Sequence, residues 1–459
     1  MPLSARLFRT GTLLLLACVL VWALVLAWWA DEERTPSTHD MVLYMAALPL
    51  ALVGGFVLLK RFIDGLRQAA IAPARVDAPP SAPPAPSRSS QTRLALRAGF
   101  LRTAAGDDAA QLRKALAAGK RPAPDPEFRD AEGFPVFAAR IDGLACDALR
   151  CEVDELAGSL QLEPLGDPAM LRALAALELL LGESLDALLA PDHPGSGEAA
   201  PVGRVLWFVP QGWPAPAHAL LATWLRGRSD DPALALAEPQ ILPVRSANEL
   251  ARQLAFQAAQ IAPGERLLVL ATESFLGEDT LLGWGASGRL FSPVHQHGRV
   301  PGEASAALLL TPCGESGGAQ QALAMMSAPR CENRSQSADA PGRTHSGVLS
   351  AVLANALEST ATEPLRIDAV VSDIDHRATR SSELFAALGA DFDHLDPTHD
   401  VFAVATSCGD TGIVAALLCI ILAGETARER NSPVLCLLAQ HALERSALVL
   451  TPVAEPPIT

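Results

Sequence analysis

Short apolar runs and longer amphipathic segments alternate along most of this chain. Val205–Val209, Arg266–Ala271 and Ile367–Ser372 are rich in Val, Leu and Ile, which predicts strands buried on both faces. Segments with helical periodicity separate them. The other predicted strands are 134–141, 401–405, 434–439 and 446–450, and the predicted helices are 107–118, 154–160, 168–189, 215–225, 247–259, 347–357, 380–388 and 412–423. This alternation predicts an α/β protein with mixed sheets between helices.

Ala304–Leu310 is the run around which the other elements are arranged. Ser305 is its only polar residue, which predicts a short strand buried on both faces, although a buried helical turn has the same pattern. Pro301-Gly302 fits the central positions of a type II turn. Gly302 and the alanines that follow are too small to fill a core, so we expect another backbone to come close there.

The first 68 residues have a different pattern. Residues 11–30 and 41–59 are uncharged and long enough to cross a bilayer as helices, and Trp28 lies at an end of the first one. A cleaved signal peptide is the alternative, but Trp28 would then occupy the −3 position of a site after Ala30. Basic residues flank the outer ends and acidic residues fill the loop, which predicts a transmembrane hairpin with both termini in the cytoplasm of a bacterium.

Composition changes mark the remaining boundaries. Residues 69–91 are rich in Pro, Ala and Ser and predict an extended linker. The body then divides into 92–310, an exposed connection at 311–343 that is rich in Ser, Gly and Pro, and 344–459. The second part repeats the order of strands and helices of the first, so we expect two similar halves.

Charge excludes one class of function. The chain of 459 residues has a formal net charge of −15, which repels phosphate backbones and makes a nucleic-acid-binding protein unexpected. Its eight cysteines are scattered, and several lie in apolar runs, as in a protein with reduced, buried thiols. No cofactor motif is present, so we expect no cofactor.

The phrase GRLFSPVHQHGRVPGEASAALLL, Gly288–Leu310, resembles the end of the first half of thiolases and β-ketoacyl synthases. The likeness is strongest at Arg289, Gly302 and Glu303, and weaker similarity extends from about Val202 to Leu450. The resemblance implies a duplicated α/β body of the thiolase type. These enzymes condense acyl groups with a nucleophilic Cys, two His and a Lys.

The catalytic residues of that family are replaced in this chain. No Cys precedes the helix at 247–259, where Ser246 has the position and the residue type of a helix N-cap. Ser372 falls where the first His is expected, with His376 four positions away. Asp410 replaces the second His, and Ala405 replaces the Lys. Condensation needs a thiolate and donors for an oxyanion, so the resemblance implies a degenerate site and no catalytic residue.

Three other groups have alternative interpretations. Cys408 precedes a Gly and an apolar helix and, with His376, could form a relocated acyl-transfer site; Ser246 is a weaker nucleophile for the same role. His295, His297 and Cys313 could bind a metal, but a fourth ligand is missing and a surface turn is the better interpretation. A buried ion network or a helix-start charge pattern accounts for Asp373, Arg380 and Glu383.

The whole layout, with the phrase VVSDIDHRATRSSELFAALG added, resembles type VI secretion lipase adaptor proteins. That resemblance implies a non-catalytic protein, tethered to the inner membrane, that holds an effector such as a phospholipase. The alternative is an acyl-transfer enzyme that uses Cys408 and His376. A homodimer is compatible with both.

Overall fold

The computed structural model describes residues 94–190, 203–228, 239–262, 264–313, 322–340 and 345–453. All of these belong to one unit, which begins at Arg88. The predicted membrane hairpin at 1–68 and the linker at 69–91 lie outside the described residues. Within the described ranges, every helix is too short or too polar to cross a membrane.

Thirteen strands are found in the described part of the chain, and eleven of them form one sheet. The sheet order is β11-β10-β12-β13-β8-β1-β7-β6-β4-β5, with β9 also paired to β13, while β2 and β3 form a separate hairpin. The strands are β1 (Leu94–Thr103), β2 (Ala123–Arg129), β3 (Pro135–Ala138), β4 (Gly203–Pro210), β5 (Gln240–Val244), β6 (Arg266–Ser274), β7 (Glu303–Pro312), β8 (Ala324–Met326), β9 (Arg330–Asn333), β10 (Ala369–Ser372), β11 (Val401–Ala403), β12 (Val434–Leu438) and β13 (Glu444–Thr451).

Ten α-helices connect or cover these strands in the same described residues. Polar caps begin several of them; the side chain of Asp108, for example, accepts a hydrogen bond from the Gln111 backbone at the start of the first helix. The helices are α1 (Ala109–Ala117), α2 (Cys146–Leu160), α3 (Pro168–Leu189), α4 (Ala215–Arg226), α5 (Ala247–Ala258), α6 (Glu278–Ala286), α7 (Gly347–Thr360), α8 (Ala378–Leu388), α9 (Ala405–Cys408) and α10 (Ala415–Arg430).

The same strand order occurs twice. In the first set, β5, β4 and β6 are parallel neighbours, and β7 lies antiparallel between β6 and β1. In the second set, β11, β10 and β12 are parallel, and β13 lies antiparallel between β12 and the short strands β8 and β9. The two halves therefore have one topology. They join within the sheet where β1 pairs with β8.

The expected exposed connection at 311–343 needs correction. Its β8 strand lies between β13 and β1 in the sheet, β9 pairs with β13, and Ala324 and Met326 are buried. These strands are only three and four residues long, and they have no alternating pattern that would reveal them. Backbone pairing with β1 and β13 stabilises them.

Four apolar clusters form the core of the described residues, the smallest being Val136, Leu281, Trp284 and Leu290. The central one packs α5 and α10 against one face of both halves of the sheet. The second packs α2, α3 and α4 on the other face of the first half, and the third packs α7 and α8 on the other face of the second half. Helices thus cover both faces of each half, as the alternating pattern predicts.

β7 is buried along both faces from Glu303 to Leu310, which confirms the predicted strand. The type II turn at Pro301-Gly302 is wrong: both residues make parallel bridges, and Gly302 does not have a positive φ. Glycine is needed there for another reason. A Cβ at Gly302 would lie 2.2 Å from the Cys408 carbonyl oxygen, so the expected close approach of another backbone is confirmed.

Two helices are longer than their sequence patterns predict. α2 begins at Cys146 rather than at Asp154, and α10 continues through Gly424 to Arg430. A Cβ at Gly424 would lie 2.5 Å from the side chain of Leu96, so this glycine allows α10 to pack against β1 and does not end the helix.

Candidate functional site

Four segments, three of which carry site residues predicted from the sequence, come together at the end of β12. They are the start of α5, the loop after β10, the loop after β11 and the turn between β12 and β13. Asn248 of α5 donates a hydrogen bond from Nδ2 to the Leu438 carbonyl at 3.0 Å, and Asp373 accepts hydrogen bonds from the backbone just beyond that strand. We call these four segments the central site.

Ser246 is a helix cap. Its Oγ accepts a hydrogen bond from the Glu249 backbone N–H at 3.0 Å, and its hydroxyl donates to the Glu444 carboxylate. His441 lies beside Glu444, but its Nδ1 accepts backbone N–H groups, and burial lowers its pKa. Ser246 is therefore bonded to a carboxylate and a helix N-terminus, not to an imidazole base.

The Asp373 carboxylate accepts hydrogen bonds from two backbone N–H groups of the central site. Its Oδ1 accepts hydrogen bonds from the N–H groups of Ala439 at 2.6 Å and Gln440 at 3.0 Å. Two adjacent N–H groups directed at one oxygen are the arrangement that stabilises a developing oxyanion. Here they hold a carboxylate of the protein itself, and burial raises the pKa of Asp373 to about 6 in spite of these bonds.

Asp410, in the loop after β11, joins the two halves next to the start of β7. Its carboxylate accepts from Arg299 Nη1 at 3.0 Å, and its backbone pairs with Val300 and Gly302 at 2.7 and 3.0 Å. The residue predicted at the second His position therefore has a structural role in the crossing of two backbones. A carboxylate there cannot donate a hydrogen bond to an oxyanion.

Glu273, on β6, contacts the central site through the loop after β11, and the sequence analysis missed it. Its Oε2 accepts the Ile413 N–H at 2.7 Å, and burial, with a smaller contribution from Asp410, raises its pKa to about 8. A Cβ at Gly412 would lie 1.8 Å from the same Oε2. The available signal was an acidic residue near the end of a buried strand.

The structure does not assemble Cys408 and His376 into a pair. Cys408 is fully buried, burial raises its pKa to about 12, and its side chain is hydrogen-bonded to Thr103. His376 is exposed and packs edge-on against Phe291, with ring centroids 4.8 Å apart. Because a protonated, enclosed thiol is a poor nucleophile, this geometry argues against the relocated site.

Arg380 and Glu383 are buried ionic residues, but they do not pair with each other or with Asp373. Arg445 donates to both oxygens of Glu383 at 2.9 and 2.7 Å, and both side chains are fully buried. Arg380 donates to Asp339 at 2.7 Å instead. Asp373, Arg380 and Glu383 therefore do not form one directly bonded network, which was one of the two interpretations of these residues.

The remaining predicted motif residues have structural contacts. Arg172 donates to both oxygens of buried Glu303 at 2.8 and 2.5 Å, which ties α3 to the start of β7. Arg289 stacks over the Trp284 ring at 5.3 Å. In the described ranges, neither His295 and His297 nor Cys313 belongs to a group of three residues able to hold a metal.

Comparison with known proteins identifies the architecture. No family model matches the chain, and no curated protein matches it. A β-ketoacyl synthase from Burkholderia phymatum STM815 is similar with a TM-score of 0.52 and 15% identity, over 79% of this chain and 100% of that chain. The fold is that of the β-ketoacyl synthases.

A second solved structure is similar to a comparable degree. It is AntDE:AntF, a type II PKS acyl-carrier protein in complex with its ketosynthase bound to the hexaketide. Its TM-score is 0.54 at 12% identity, over 79% of this chain and 100% of that chain. At these identities the likeness establishes the thiolase-like fold, and neither structure gives support to the resemblance to type VI secretion adaptors.

Proposed function

We propose that this protein uses a ketosynthase-like body to bind a protein partner and does not carry out thiol-dependent condensation. The observation that carries the proposal is the occupied central site. Asp373 holds the N–H groups of Ala439 and Gln440, and Ser246 caps α5 where a catalytic thiol would be needed. A substrate carbonyl would have to displace a buried carboxylate to reach those donors.

The partner we propose is an effector protein, with a type VI secretion lipase as the specific case suggested by the sequence resemblance. The proposed setting is the cytoplasmic face of a bacterial inner membrane, with residues 1–68 as a two-pass anchor. A net charge of −15 favours association with a partner that presents a basic face, and added salt would weaken such association. A homodimer would present two copies of this surface.

The second candidate is an acyl-transfer enzyme, and similarity to two ketosynthase structures favours it. Those proteins are ketosynthases, which are enzymes, whereas neither of these two structures is an adaptor protein. In the central site, Ser246 is the residue closest in sequence to the position of a nucleophile. It would have to leave both the Glu249 N–H and the Glu444 carboxylate to attack a thioester.

One experiment separates these functions. The purified protein is mixed with acetyl- and malonyl-thioesters, and thiol release is followed over time in the wild type, Ser246→Ala and Cys408→Ala. Binding of the effector encoded nearby is measured in parallel by size-exclusion chromatography. We expect a stable complex and no turnover. Steady thioester cleavage that either variant abolishes would refute the binding-only function.

A further inference from the structure

An open cleft lies between the β2–β3 hairpin, the loop after α6 and the start of α8. It has a volume of about 420 Å³. The ring of Phe291 meets that of Phe137 edge-on at 5.2 Å and the imidazole of His376 at 4.8 Å. The lining also includes Pro293, His297 and Ala378, and none of the lining residues is Lys, Arg, Asp or Glu. We call this feature the Phe291 cleft. Its walls are aromatic and apolar, which favours an apolar occupant.

Large apolar side chains are exposed on two of the elements that build the Phe291 cleft. Val294, next to Pro293 in the loop after α6, is 59% exposed. Phe134, three positions before Phe137 on the hairpin, is 66% exposed. An aromatic cleft with exposed apolar side chains near it is typical of a surface where a partner protein buries an apolar side chain.

The hairpin that carries Phe137 is fixed to the rest of the body. Val136 packs in a small buried cluster with Leu281 and Trp284 of α6. The N–H of Ala139, just after β3, donates to the Pro301 carbonyl at 2.9 Å. A surface that is already ordered binds a partner at a lower entropic cost than one that must be ordered on binding.

Three carboxylates surround one guanidinium just after β3. Arg140 lies 3.1 Å from Asp125, 2.5 Å from Glu127 and 3.6 Å from Asp142. In the described ranges, no other cation lies at ion-pair distance from these three. The Arg140 side chain is 17% exposed, whereas those of Glu127 and Asp142 are 69% and 89% exposed. Solvent therefore meets the carboxylates. We call these four residues the Arg140 cluster.

Charges elsewhere on these elements are close to balanced. From Lys120 to Asp142 and from Glu278 to Arg299, the chain has seven carboxylates and six cations. One of the six, Arg299, is paired with Asp410 at 3.0 Å. The negative excess of this surface is therefore concentrated at the Arg140 cluster, where it would attract a cation.

The Phe291 cleft and the Arg140 cluster are neighbours along one segment. Phe137 and Arg140 are three positions apart, so their Cα atoms lie at most about 11 Å from each other. A partner could reach both with side chains three or four positions apart in an extended segment, or about two turns apart on a helix.

We propose that the Phe291 cleft and the Arg140 cluster form one docking surface for a protein segment that carries a large apolar side chain and, at this spacing, a Lys or Arg. The apolar side chain would pack on Phe291 and Phe137, and the cation would lie between Glu127 and Asp142. An apolar anchor in a cleft carries most of the binding energy, and charges at the rim select the partner. This inference rests on the proposed function, because it assigns the face that the protein partner would use.

Fluorescence anisotropy of a short labelled peptide with the full chain tests this surface. The peptide consists of Gly and Ser with one Trp and, three positions later, two Lys. We expect binding to weaken about tenfold when Ala replaces the Trp, because the apolar anchor is lost. We expect a similar or larger loss when Glu replaces both Lys, because like charges then meet. Equal affinity for the three peptides would overturn the proposal.

Two variants assign each preference to its part of the surface. Phe291→Ala should remove the preference for Trp over Ala. Glu127→Gln combined with Asp142→Asn should remove the preference for Lys over Glu. Both carboxylates are largely exposed, so the double variant should fold as the wild type does, and urea unfolding checks this for both variants.

Matched controls lie outside the docking surface. Phe256 is an exposed phenylalanine on α5, and Asp391 and Asp393 are exposed carboxylates just beyond the far end of α8. Phe256→Ala, and Asp391→Asn combined with Asp393→Asn, should leave all three affinities unchanged. An equal loss in these controls would mean non-specific attraction and would contradict the assignment.

The effector of the size-exclusion experiment is then measured with the same variants. Equal binding of the effector to the wild type and to every variant would show that the docking surface is wrong, while the proposed binding function would stand. An effector that does not bind, with a peptide that shows both preferences, would refute the proposed function and leave the docking surface in place. A dimer in light scattering that Phe291→Ala dissociates would make the occupant a second copy of this chain and would overturn the proposal.

Discussion

Gly302→Ala is the substitution that tests the fold most directly. Gly302 lies where the start of β7 crosses the loop after β11, and backbone hydrogen bonds join the two halves there. The Gly302 N–H donates to the Asp410 carbonyl at 3.0 Å, and the Asp410 N–H donates to Val300 at 2.7 Å. From the other side, the N–H of Phe275 donates to the Gly302 carbonyl at 3.0 Å.

The magnitude follows from the distance. A Cβ at Gly302 would lie 2.2 Å from the Cys408 carbonyl oxygen and 3.2 Å from that of Asp410. Ordinary contact requires the two backbones to separate by about 1 Å. Overpacking of this kind costs about 1–3 kcal/mol, and each of the two backbone bonds that would lengthen contributes about 1 kcal/mol. We expect a loss of about 3–5 kcal/mol in the free energy of unfolding.

Urea unfolding followed by tryptophan fluorescence measures this change, with thermal unfolding as a second probe. Gly283→Ala is the matched control, because Gly283 lies inside α6 with nothing within 4 Å of an added Cβ. In a helix that change should stabilise by about 0.5–1 kcal/mol. A Gly302→Ala variant with the wild-type urea midpoint would refute the close crossing of the two halves.

Three further predictions concern the buried polar groups. Glu273 has a folded pKa of about 8 against an ordinary value of 4.5, so its protonated form stabilises the fold fully below pH 4.5, and that stability is lost as pH rises through 8. The loss of stability across this pH range is ~5 kcal/mol. Glu273→Gln should therefore flatten the pH dependence of the unfolding midpoint between pH 5 and 9. An unchanged pH profile in this variant would contradict the prediction. Cys408, buried and protonated, should resist iodoacetamide in the folded protein while exposed Cys151 reacts, and equal labelling by mass spectrometry would show that Cys408 is accessible. Glu383→Gln should destabilise by about 3–5 kcal/mol in urea because Arg445 is left buried without a carboxylate, whereas a cost below about 1 kcal/mol would show that the pair is dispensable.

The local sequence pattern was sufficient to predict the elements whose residues are buried whichever other element packs against them. β7, β6 and β12 each contain a continuous or nearly continuous apolar run, and α3 begins and ends at the predicted residues because Asp167 caps it and its apolar face is nearly complete. The repeat of strands and helices also predicted a fold with two similar halves. These features depend on periodicity and capping, which act over a few residues.

The tertiary structure decided everything that depends on a distant partner. β8 and β9 are strands because β1 and β13 supply their hydrogen bonds, and no local pattern marks them. Glycine is needed at position 302 because the backbone carbonyl of Cys408, more than a hundred positions away, leaves no room for a Cβ. A turn conformation is not the reason. Likewise, Asp373 and Glu273 acquire raised pKa values only when burial removes water from their carboxyl groups. Desolvation and close contact arise only once the chain has folded, and for this reason the occupied central site could not be predicted from residue types and spacing.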